Sequence, residues 1–406
     1  MPGPATFVIA GGGLAAAKTG EALRAEGFDG RIILAGKESH LPYERPPLSK
    51  DYLQGTAERE KIFVHDQAWY AQQGIDLRLG VQVTAIDPGG HQVTLADGER
   101  IGYDKLLLAT GARPRRLAVP GADRPTVLYL RTVDDSERLR AALALNTRIA
   151  IIGAGWIGLE VAAAARIAGV QVTVIHTGSA PLLRVLGPRM AEVFTALHRE
   201  HGVDFVFNAR PVEITDSGVL LADGTHIDAD AIAVGIGVTP DTGLAEAAGL
   251  TIDDGVKVGA DLRSSGPDIF AAGDLANAYH PLLGRHLRVE HWANALNQPA
   301  TAARAMLDRP AAYDNLPYFF TDQYDLGMEY VGHVPPGQDS DVVVRGDLDA
   351  REFIAFWLHH DKVVAAMNVN VWDVVDHTKA LVRSTATVDR ARLADPATPL
   401  DRLLAP

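Results

Sequence analysis

Two glycine-rich segments have the residue types and the spacing that hold the phosphates of a dinucleotide. Residues 11–16 have the form GxGxxA, and residues 153–158 have the form GxGxxG. The first glycine of such a motif permits a tight turn, the second lets the backbone approach a pyrophosphate, and the small third residue lets helix and strand pack closely. We therefore expect dinucleotide contacts from Gly11, Gly13, Leu14, Ala15 and Ala16 and from Gly153, Gly155, Ile157 and Gly158.

Both motifs lie at the point where a predicted strand leads into a predicted helix. Each segment predicts a strand, a helix and a returning strand, at residues 7–10, 14–26 and 31–34 and again at residues 148–152, 156–168 and 170–175. The strands are apolar with little alternation, which is typical of a parallel sheet covered on both faces. The pattern predicts an α/β fold with two Rossmann-like nucleotide-binding domains, in which each helix start attracts phosphate.

The chain changes in texture from about Pro317 onward. Residues 351–359 and 363–371 are β-rich runs, and residues 373–383 follow with a helical pattern. This order predicts a small α+β domain at the C-terminus.

Composition excludes several classes of function. The 406 residues contain 38 Lys and Arg against 51 Asp and Glu, a formal charge of −13, which repels nucleic acid and anionic membrane surfaces. The absence of cysteine excludes disulfide frameworks, thiolate metal sites and thiol nucleophiles, so redox chemistry requires a bound cofactor. No window approaches the roughly 20 apolar residues of a membrane span, and we expect a cytoplasmic protein.

The histidines give no indication of a metal. His198 and His201 share a helical face, and His359 and His360 are adjacent at a predicted turn, but neither pair has an evident carboxylate companion. We expect these histidines on the solvated surface and no bound metal.

Two dinucleotide sites in one chain indicate that one cofactor stays bound while another exchanges, with electrons passing between them. FAD with a nicotinamide dinucleotide is the economical assignment. The first motif is followed by residues 41–50, a proline-rich segment that ends in the cation Lys50.

Seven ordered motifs resemble those of the FAD-dependent, NAD(P)H-oxidising ferredoxin reductases of bacterial oxygenase and cytochrome P450 systems, the putidaredoxin reductase-like and biphenyl dioxygenase reductase-like family. The resemblance covers nearly the whole chain. Its motifs are residues 41–50, Ala109-Thr110-Gly111, residues 129–132, residues 153–160, residues 235–237, residues 272–274 and Glu290-His291-Trp292.

The resemblance implies a discontinuous FAD-binding domain of residues 1–115 and 236–316. An NAD(P)-binding domain of residues 116–235 is inserted between these halves, and a C-terminal reductase domain covers residues 317–406. A further implication is hydride transfer from NADH to FAD, followed by release of single electrons to an iron–sulfur ferredoxin.

The resemblance also implies individual cofactor contacts. Asp274 is expected to hydrogen-bond the ribityl or phosphate region of the flavin, and Trp292 to lie near its ring system. The other implied contacts are Arg45, Val83, Ala109, Thr110, Gly111, Arg113, Arg131, Gly237, Glu290 and His291.

Lys50 and Glu160 are the implied catalytic pair. Glu160 lies two residues after Gly158, in the first turn of the second nucleotide helix. In the family that this chain resembles, the matching lysine and glutamate pair beside the reactive flavin nitrogen. A lysine there favours the negative charge that a flavin acquires on reduction, and the carboxylate holds the lysine in place.

The ribose-binding positions depart from the common pattern, in which an acid follows the second strand of each unit. The first unit has Lys37 at this position with Glu38 beside it, so both are candidate contacts. The second unit has His176, which binds a 2′-hydroxyl when neutral or tolerates a 2′-phosphate when protonated, with Arg184 close in sequence. We expect NADH, and NADPH stays open.

Phe320 is a further departure, because relatives commonly have tryptophan there. An aromatic route to the acceptor is therefore in doubt. For docking an acidic ferredoxin, a local basic patch is needed, with Arg113, Arg115 and Arg116 or Arg285 and Arg288 as candidates.

Two alternative functions stay open at this stage. One is an NAD(P)H-dependent reductase of a quinone or another small acceptor. The other is a flavin-binding redox sensor or interaction protein, similar to apoptosis-inducing factor. We expect a monomer or a weak dimer.

Overall fold

A computed structural model of the protein describes residues 4–335 and 340–404. The chain divides into two units. Unit 1 consists of Met1–Glu44, Arg59–Arg113 and Thr239–Pro317, and unit 2 consists of Arg45–Glu58, Pro114–Val238 and Tyr318–Pro406. The short strands Ala112–Pro114 and Val238–Pro240 each contain a point where the chain passes from one unit to the other.

Unit 1 is built on a five-stranded parallel sheet. Val8 and Ile9, in the central strand, have no solvent-exposed surface, because both faces of the sheet are covered. The strand order is Ile269–Ala271, Lys105–Leu108, Thr6–Ala10, Arg31–Gly36 and Ile75–Leu79.

Helices cover this sheet, and unit 1 also contains two small sheets of three strands. The α-helices of unit 1 are Leu14–Ala25, Gln67–Gln72, Gly243–Ala247 and Trp292–Met306, with 3₁₀ turns at Arg59–Ile62 and Gly273–Leu275. The small sheets contain Val83–Asp87, Gln92–Leu95 and Arg100–Gly102, and Val256–Val258, Ala276–His280 and Arg285–Arg288.

Unit 2 contains a second five-stranded parallel sheet and a five-stranded antiparallel sheet. The parallel strand order is Val203–Val206, Gln171–Ile175, Arg148–Ile152, Ala231–Val234 and Val127–Tyr129. The antiparallel order is Tyr318–Gln323, Leu326–Gly332, Lys362–Val369, Glu352–His359 and Asp341–Asp347. A hairpin sheet adds Pro211–Ile214, Gly218–Leu221 and His226–Asp228.

The parallel and antiparallel sheets of unit 2 share one apolar core. Leu159 and Phe194, from helices beside the parallel sheet, belong to the same buried cluster as Phe353 and Trp357 from the antiparallel sheet. The helices of unit 2 are Asp51–Gln54, Val133–Leu145, Trp156–Ile167, Leu183–Leu186, Pro188–Glu200, Val375–Ser384 and Arg390–Ala394, with 3₁₀ turns at Pro46–Ser49 and Leu400–Arg402.

The predicted fold class is confirmed: two Rossmann-like parallel sheets are followed by an α+β region. The predicted strands and helices around both glycine motifs are present, with ends that differ by one or two residues. The division into three domains stays a prediction, and residues 1–3, 336–339 and 405–406 of its ranges lie outside the described residues.

Candidate active site

The first glycine turn leaves a helix N-terminus open to an anion. Gly11 has φ +142°, and a Cβ there would lie 2.2 Å from the backbone oxygen of Ala109. Gly13 is the N-cap residue of helix Leu14–Ala25 and has no side chain to cap it, and among the described residues a Cβ at Gly13 would meet nothing within 4 Å. The first N–H groups of this helix are therefore available for a pyrophosphate, and the turn fits a dinucleotide.

The small residues of this motif serve close packing. Ala16 has no exposed surface, and Leu14 and Ala15 are each 7% exposed. A Cβ at Gly273 would lie 3.3 Å from the Cβ of Ala15, so the turn that contains Asp274 lies directly beside the start of this helix. The structure thus brings Asp274 to the first glycine turn, as a flavin phosphate or ribityl contact requires.

Glu38 follows the strand that neighbours the glycine turn. Gly12 and Gly36 approach so closely that a Cβ on Gly36 would lie 2.9 Å from the Cα of Gly12. Two residues further on, the Glu38 carboxylate is half-buried and accepts a hydrogen bond from the Tyr43 hydroxyl, whereas Lys37 is exposed. Glu38 therefore has the fixed orientation that a ribose contact needs.

Helix Trp292–Met306 carries further predicted contacts. His291 is its N-cap residue and Trp292 is its first residue. Gln298 of the same helix accepts a hydrogen bond of 2.7 Å from the Gly273 N–H, which fixes the helix to the turn beside Asp274. Glu290, in contrast, is exposed and forms an ion pair with Arg288.

The remaining predicted contacts of unit 1 are Val83 and the residues that follow strand Lys105–Leu108. The Thr110 hydroxyl donates to the Asp241 carbonyl at 2.9 Å, and Gly111 has φ +72°. Arg113 is exposed and lies 3.3 Å from the Asp241 carboxylate. Val83 is 4% exposed in the apolar core, so its side chain serves packing.

The second glycine turn repeats the geometry of the first. Gly153 has φ +109°, and a Cβ there would lie 2.3 Å from the Gly235 oxygen. A Cβ on Gly158 would lie 2.1 Å from the Gly153 oxygen, so a glycine is required where helix and turn meet. Gly155 is the N-cap residue of helix Trp156–Ile167 and has no side chain to cap it, and a Cβ there would meet no atom of the described residues within 4 Å. This turn also fits a dinucleotide pyrophosphate.

Three more predicted residues lie near this turn or along the same sheet edge. Ile157 is 45% exposed on the first turn of the helix. Gly237 has φ +102°, two residues after the glycine whose oxygen faces Gly153. Arg184 is exposed in the short helix Leu183–Leu186.

His176 is held against the glycine turn as a neutral ring. It follows the strand Gln171–Ile175, and its Nδ1 accepts a long hydrogen bond of 3.4 Å from the Ala154 N–H. Burial, and secondarily the charge of Arg184, lowers the pKa of His176. With Nδ1 accepting, the proton of the neutral ring is on Nε2, which is then a donor for a ribose hydroxyl.

Lys50 and Glu160 form a buried ion pair within unit 2. The Lys50 ammonium lies 2.8 Å from Glu160 Oε1, and the two side chains are 13% and 4% exposed. The Lys50 ammonium also lies 5.5 Å from the centre of the Phe320 ring, within range of a cation–π interaction.

Two hydroxyl groups complete the surroundings of Glu160. Ser49 donates to Oε2 at 2.5 Å, and Thr321 donates to Oε1 at 2.6 Å. Each oxygen of the carboxylate thus has a hydroxyl donor in addition to the lysine, as a buried anion requires.

The elements that present Lys50 are anchored to helix Val133–Leu145. Two consecutive prolines start the 3₁₀ turn Pro46–Ser49, and the Ser136 hydroxyl donates to the Leu48 carbonyl at 2.8 Å. Tyr52 donates to Glu137 of the same helix at 2.7 Å. In this region Arg45 donates to the Arg131 carbonyl, so these two predicted contacts lie together.

The predicted surface position of His198 is wrong. His198 has no exposed surface, and its Nε2 lies 2.8 Å from Gln323 Oε1. Burial lowers the pKa of His198 to about 4. The signal was present in the sequence, because His198 lies one helical turn after Phe194 and two turns after Met190, both fully buried.

Ser49, Thr321 and Gln323 are the residues that sequence reasoning missed. Thr321 and Gln323 alternate with exposed Asp322 on strand Tyr318–Gln323, so both point to the buried face.

Among the described residues, no group of three or more His, Asp and Glu side chains is arranged to hold a metal. Within residues 4–335 and 340–404, no helix has the length and apolarity of a membrane span.

The chain belongs to the pyridine nucleotide-disulphide oxidoreductase family. The model of that family matches residues 5–299, and a second model, reductase C-terminal, matches residues 318–404. The protein is therefore an oxidoreductase of the class that uses FAD with a nicotinamide dinucleotide. The family name includes a disulfide, but this chain has no cysteine, so no protein thiol takes part.

Within this family the chain is similar to ferredoxin reductases of bacterial oxygenases. The ferredoxin–NAD(+) reductase component of the anthranilate 1,2-dioxygenase system of Burkholderia cepacia is 42% identical over 403 residues, which cover 98% of this chain and 99% of the relative. Putidaredoxin reductase of Pseudomonas putida is 38% identical, over 98% of this chain and 96% of the relative.

The solved structures agree with this grouping. The crystal structure of a covalent putidaredoxin reductase–putidaredoxin complex matches with a TM-score of 0.94 and 37% identity, over 99% of each chain. The resemblance stated from the seven motifs is thus confirmed over nearly the full length.

Proposed function

We propose that this protein is an NADH-dependent ferredoxin reductase that serves an oxygenase or a cytochrome P450. The observation that carries the proposal is the presence of two glycine turns with uncapped helix starts in a chain without cysteine. Two nucleotide sites without a thiol relay fit electron transfer from one nucleotide to another and then directly to a separate acceptor. The similarity to ferredoxin reductases over the whole chain supports ferredoxin as that acceptor.

The first glycine turn is the proposed FAD site and the second is the proposed NADH site. Glu38, Thr110 and Asp274 flank the first turn in unit 1 and would orient the FAD, with Trp292 on the helix that the Asp274 turn contacts. When bound, FAD supplies the conversion of a two-electron hydride into electrons that leave one at a time. The FAD contacts of Arg45 and Arg131 stay predictions.

Lys50 and Glu160 are the proposed charged pair of the hydride step. The Lys50 ammonium stabilises negative charge that develops on reduction, and Glu160 fixes the position of the ammonium. Because both side chains are nearly buried, little water screens the charge of the lysine. Neither group has to transfer a proton in the hydride step, so their contribution is electrostatic and positional.

The state of His176 favours NADH. A neutral ring donates to a ribose hydroxyl but offers no positive charge to a 2′-phosphate. Because His176 offers no positive charge, NADPH is expected to react as the weaker substrate. Any contact with its 2′-phosphate would come from the nearby Arg184.

The remaining parts of the proposal concern the domains, the partner and the location. We assign FAD binding to residues 1–115 and 236–316, NADH binding to residues 116–235 and a reductase domain to residues 317–406. Exposed Arg285 is a candidate docking residue, whereas Arg288 has a side chain that is only 9% exposed and pairs with Asp254 and Glu290. A cytoplasmic location and a monomer or weak dimer stay predictions.

An anaerobic titration of the purified protein with NADH tests the proposal. We expect a yellow protein whose flavin absorption bleaches with one equivalent of NADH. A ferredoxin added with cytochrome c should then allow cytochrome reduction, and omission of the ferredoxin is the control. A colourless protein that cannot be reconstituted with FAD, or turnover with quinones alone, would refute the proposal.

A further inference from the structure

A chain of buried polar side chains extends away from Glu160 through the interior of unit 2. Thr321 Oγ1 lies 2.6 Å from Glu160 Oε1, and Gln323 Nε2 lies 3.1 Å from Thr321 Oγ1. Gln323 Oε1 lies 2.8 Å from His198 Nε2. Thr321, Gln323 and His198 are each no more than 1% exposed.

The ion pair at one end fixes the direction of every hydrogen bond in this chain. Glu160 accepts from Lys50 and Ser49, so as an anion it also accepts from the Thr321 hydroxyl. Thr321 has then used its only proton and accepts from the amide nitrogen of Gln323. The Gln323 oxygen consequently accepts from His198 Nε2–H.

The far end of the chain is consistent with this direction. Because the pKa of His198 is lowered by burial, its ring is neutral, and Nδ1 is an acceptor when Nε2 holds the proton. The Tyr324 hydroxyl lies 3.4 Å from Nδ1, where it makes a long donor contact. In each of the four contacts from Tyr324 to Glu160, the donor therefore lies on the Tyr324 side and the acceptor on the Glu160 side.

An uncharged chain suits this position better than a second ion pair. A buried charge costs free energy unless it is fully paired, whereas a threonine, an amide and a neutral imidazole add donors without adding charge. The amide orientation and the histidine tautomer are both set, so the Thr321 hydroxyl cannot rotate away from Glu160 without leaving a buried donor unsatisfied.

We propose that Thr321 is a positioning residue for the Lys50–Glu160 pair, and that Gln323 and His198 hold Thr321 in its donating orientation. This inference rests on the proposed function, because the pair matters for hydride transfer only if the protein is an NADH-dependent reductase. Thr321 acts through Glu160 and not on a substrate.

Substitution of Thr321 separates this role from simple packing. Thr321→Val keeps the shape of the side chain and removes the hydroxyl, and Thr321→Ser restores it. Thr378→Val is the matched control, because Thr378 is also a 1% exposed threonine of unit 2 but donates to the Val375 carbonyl. Gln323→Met is a second variant, which removes the amide behind Thr321 and keeps a side chain of similar length.

The first measurement does not depend on turnover. In FAD-loaded protein labelled with carbon-13 at the glutamate carboxyl carbons, the Glu160 resonance is assigned by its loss in Glu160→Gln. We expect this resonance to shift in Thr321→Val, to shift less in Gln323→Met and to stay in place in Thr321→Ser and Thr378→Val. The second measurement is anaerobic stopped-flow reduction by NADH, which we expect to slow by about ten-fold in Thr321→Val with an unchanged NADH dissociation constant.

The outcomes distinguish the two proposals. An unmoved Glu160 resonance and a wild-type reduction rate in Thr321→Val would overturn the positioning role, and so would equal effects of Thr321→Val and Thr378→Val. If Thr321→Val does not fold, Gln323→Met carries the same test. Failure of NADH to bleach the wild-type flavin would refute the proposed function, while the Glu160 resonance would still report on the hydrogen-bond chain.

Discussion

Replacing Lys50 by Met, Glu160 by Gln, and both together separates the contribution of the ion pair to stability from its contribution to electron transfer. Both side chains are nearly buried, and Glu160 accepts from Ser49 and Thr321 in addition to Lys50. Each single variant leaves one charge without its partner. The double variant leaves none.

The structure sets the expected magnitudes. Removing one partner of a buried ion pair costs about 3 to 5 kcal/mol, because the remaining charge stays desolvated. Lys50→Met should lie near the upper end of this range, since Glu160 is only 4% exposed. Glu160→Gln should lie near the lower end, since Lys50 is 13% exposed and reaches some water. The double variant should be more stable than either single variant, because a neutral pair removes both desolvation penalties.

The electron-transfer effect should have a different pattern. Lys50→Met removes the charge that favours flavin reduction. NADH should therefore reduce the flavin slowly in this variant and in the double variant. Glu160→Gln keeps the charge but loses its fixed position, so its rate should fall less. FAD retention should be weakened less than the reduction rate in all three, because the proposed contribution of both residues to the hydride step is electrostatic and positional.

Two assays check these expectations. Urea unfolding followed by fluorescence gives the relative stabilities, compared as midpoint differences because a flavoprotein with two units need not unfold in one step. Anaerobic stopped-flow absorbance gives the rate of flavin reduction by NADH. Additive destabilisation in the double variant would contradict the paired burial of the two charges, and wild-type reduction rates in both single variants would remove their role in the hydride step.

Three further predictions concern substitutions at single positions. Burial lowers the pKa of His198 from 6.5 to about 4, so in this pH interval the unfolded chain binds a proton that the folded chain does not. The free energy of unfolding should therefore fall by about 3 kcal/mol as the pH drops from 6.5 toward 4. A thermal unfolding series in which His198→Gln shows the same pH dependence as the wild type would contradict this. Gly155→Asp places a carboxylate in open space at a helix start with ordinary backbone angles, so it should cap the helix but repel phosphate. We expect a raised thermal midpoint and at least ten-fold weaker NADH binding by calorimetry. Gly13→Asp should weaken FAD retention in the same way, and unchanged affinities would refute the assigned sites. Arg184→Ala should lower kcat/KM for NADPH more than for NADH, because Arg184 is the candidate partner of a 2′-phosphate; equal losses for both nucleotides would remove Arg184 from that position.

The elements around the glycine turns could be predicted from the sequence because their signals are local. A buried parallel strand, a glycine with positive φ and a helix start follow one another within about ten residues, and Gly11 and Gly153 have the required conformations. The sequence offers both Lys37 and Glu38 as candidates for the ribose contact of the first unit. The structure holds Glu38 by a hydrogen bond from Tyr43 and leaves Lys37 exposed, which the sequence alone could not distinguish.

The surroundings of Glu160 could not be derived in the same way. Ser49 is 111 positions from Glu160 and Thr321 is 161 positions away, so no spacing rule connects them. The pairing of Lys50 with Glu160 came from the family resemblance and not from the pattern of residues. The period of helix Pro188–Glu200 places His198 on the buried face. The lack of an evident carboxylate companion does not by itself indicate that a histidine is solvated, because an amide such as that of Gln323 can be its buried partner.

The assignment of residues 45–58 to unit 2 has a consequence for the charged pair. In the sequence this segment lies between two parts of unit 1, yet Ser49 and Lys50 bind Glu160, and Leu48 and Tyr52 bind helix Val133–Leu145. Among the described residues, the three side chains that hold the Glu160 carboxylate, Lys50, Ser49 and Thr321, therefore all belong to unit 2. The packing of unit 2 therefore sets the geometry of these contacts, and the pair is preorganised. Preorganised charges of this kind need no rearrangement at the moment of reaction, which is the physical reason to expect rate effects from Thr321, a residue that touches neither nucleotide in the proposed mechanism.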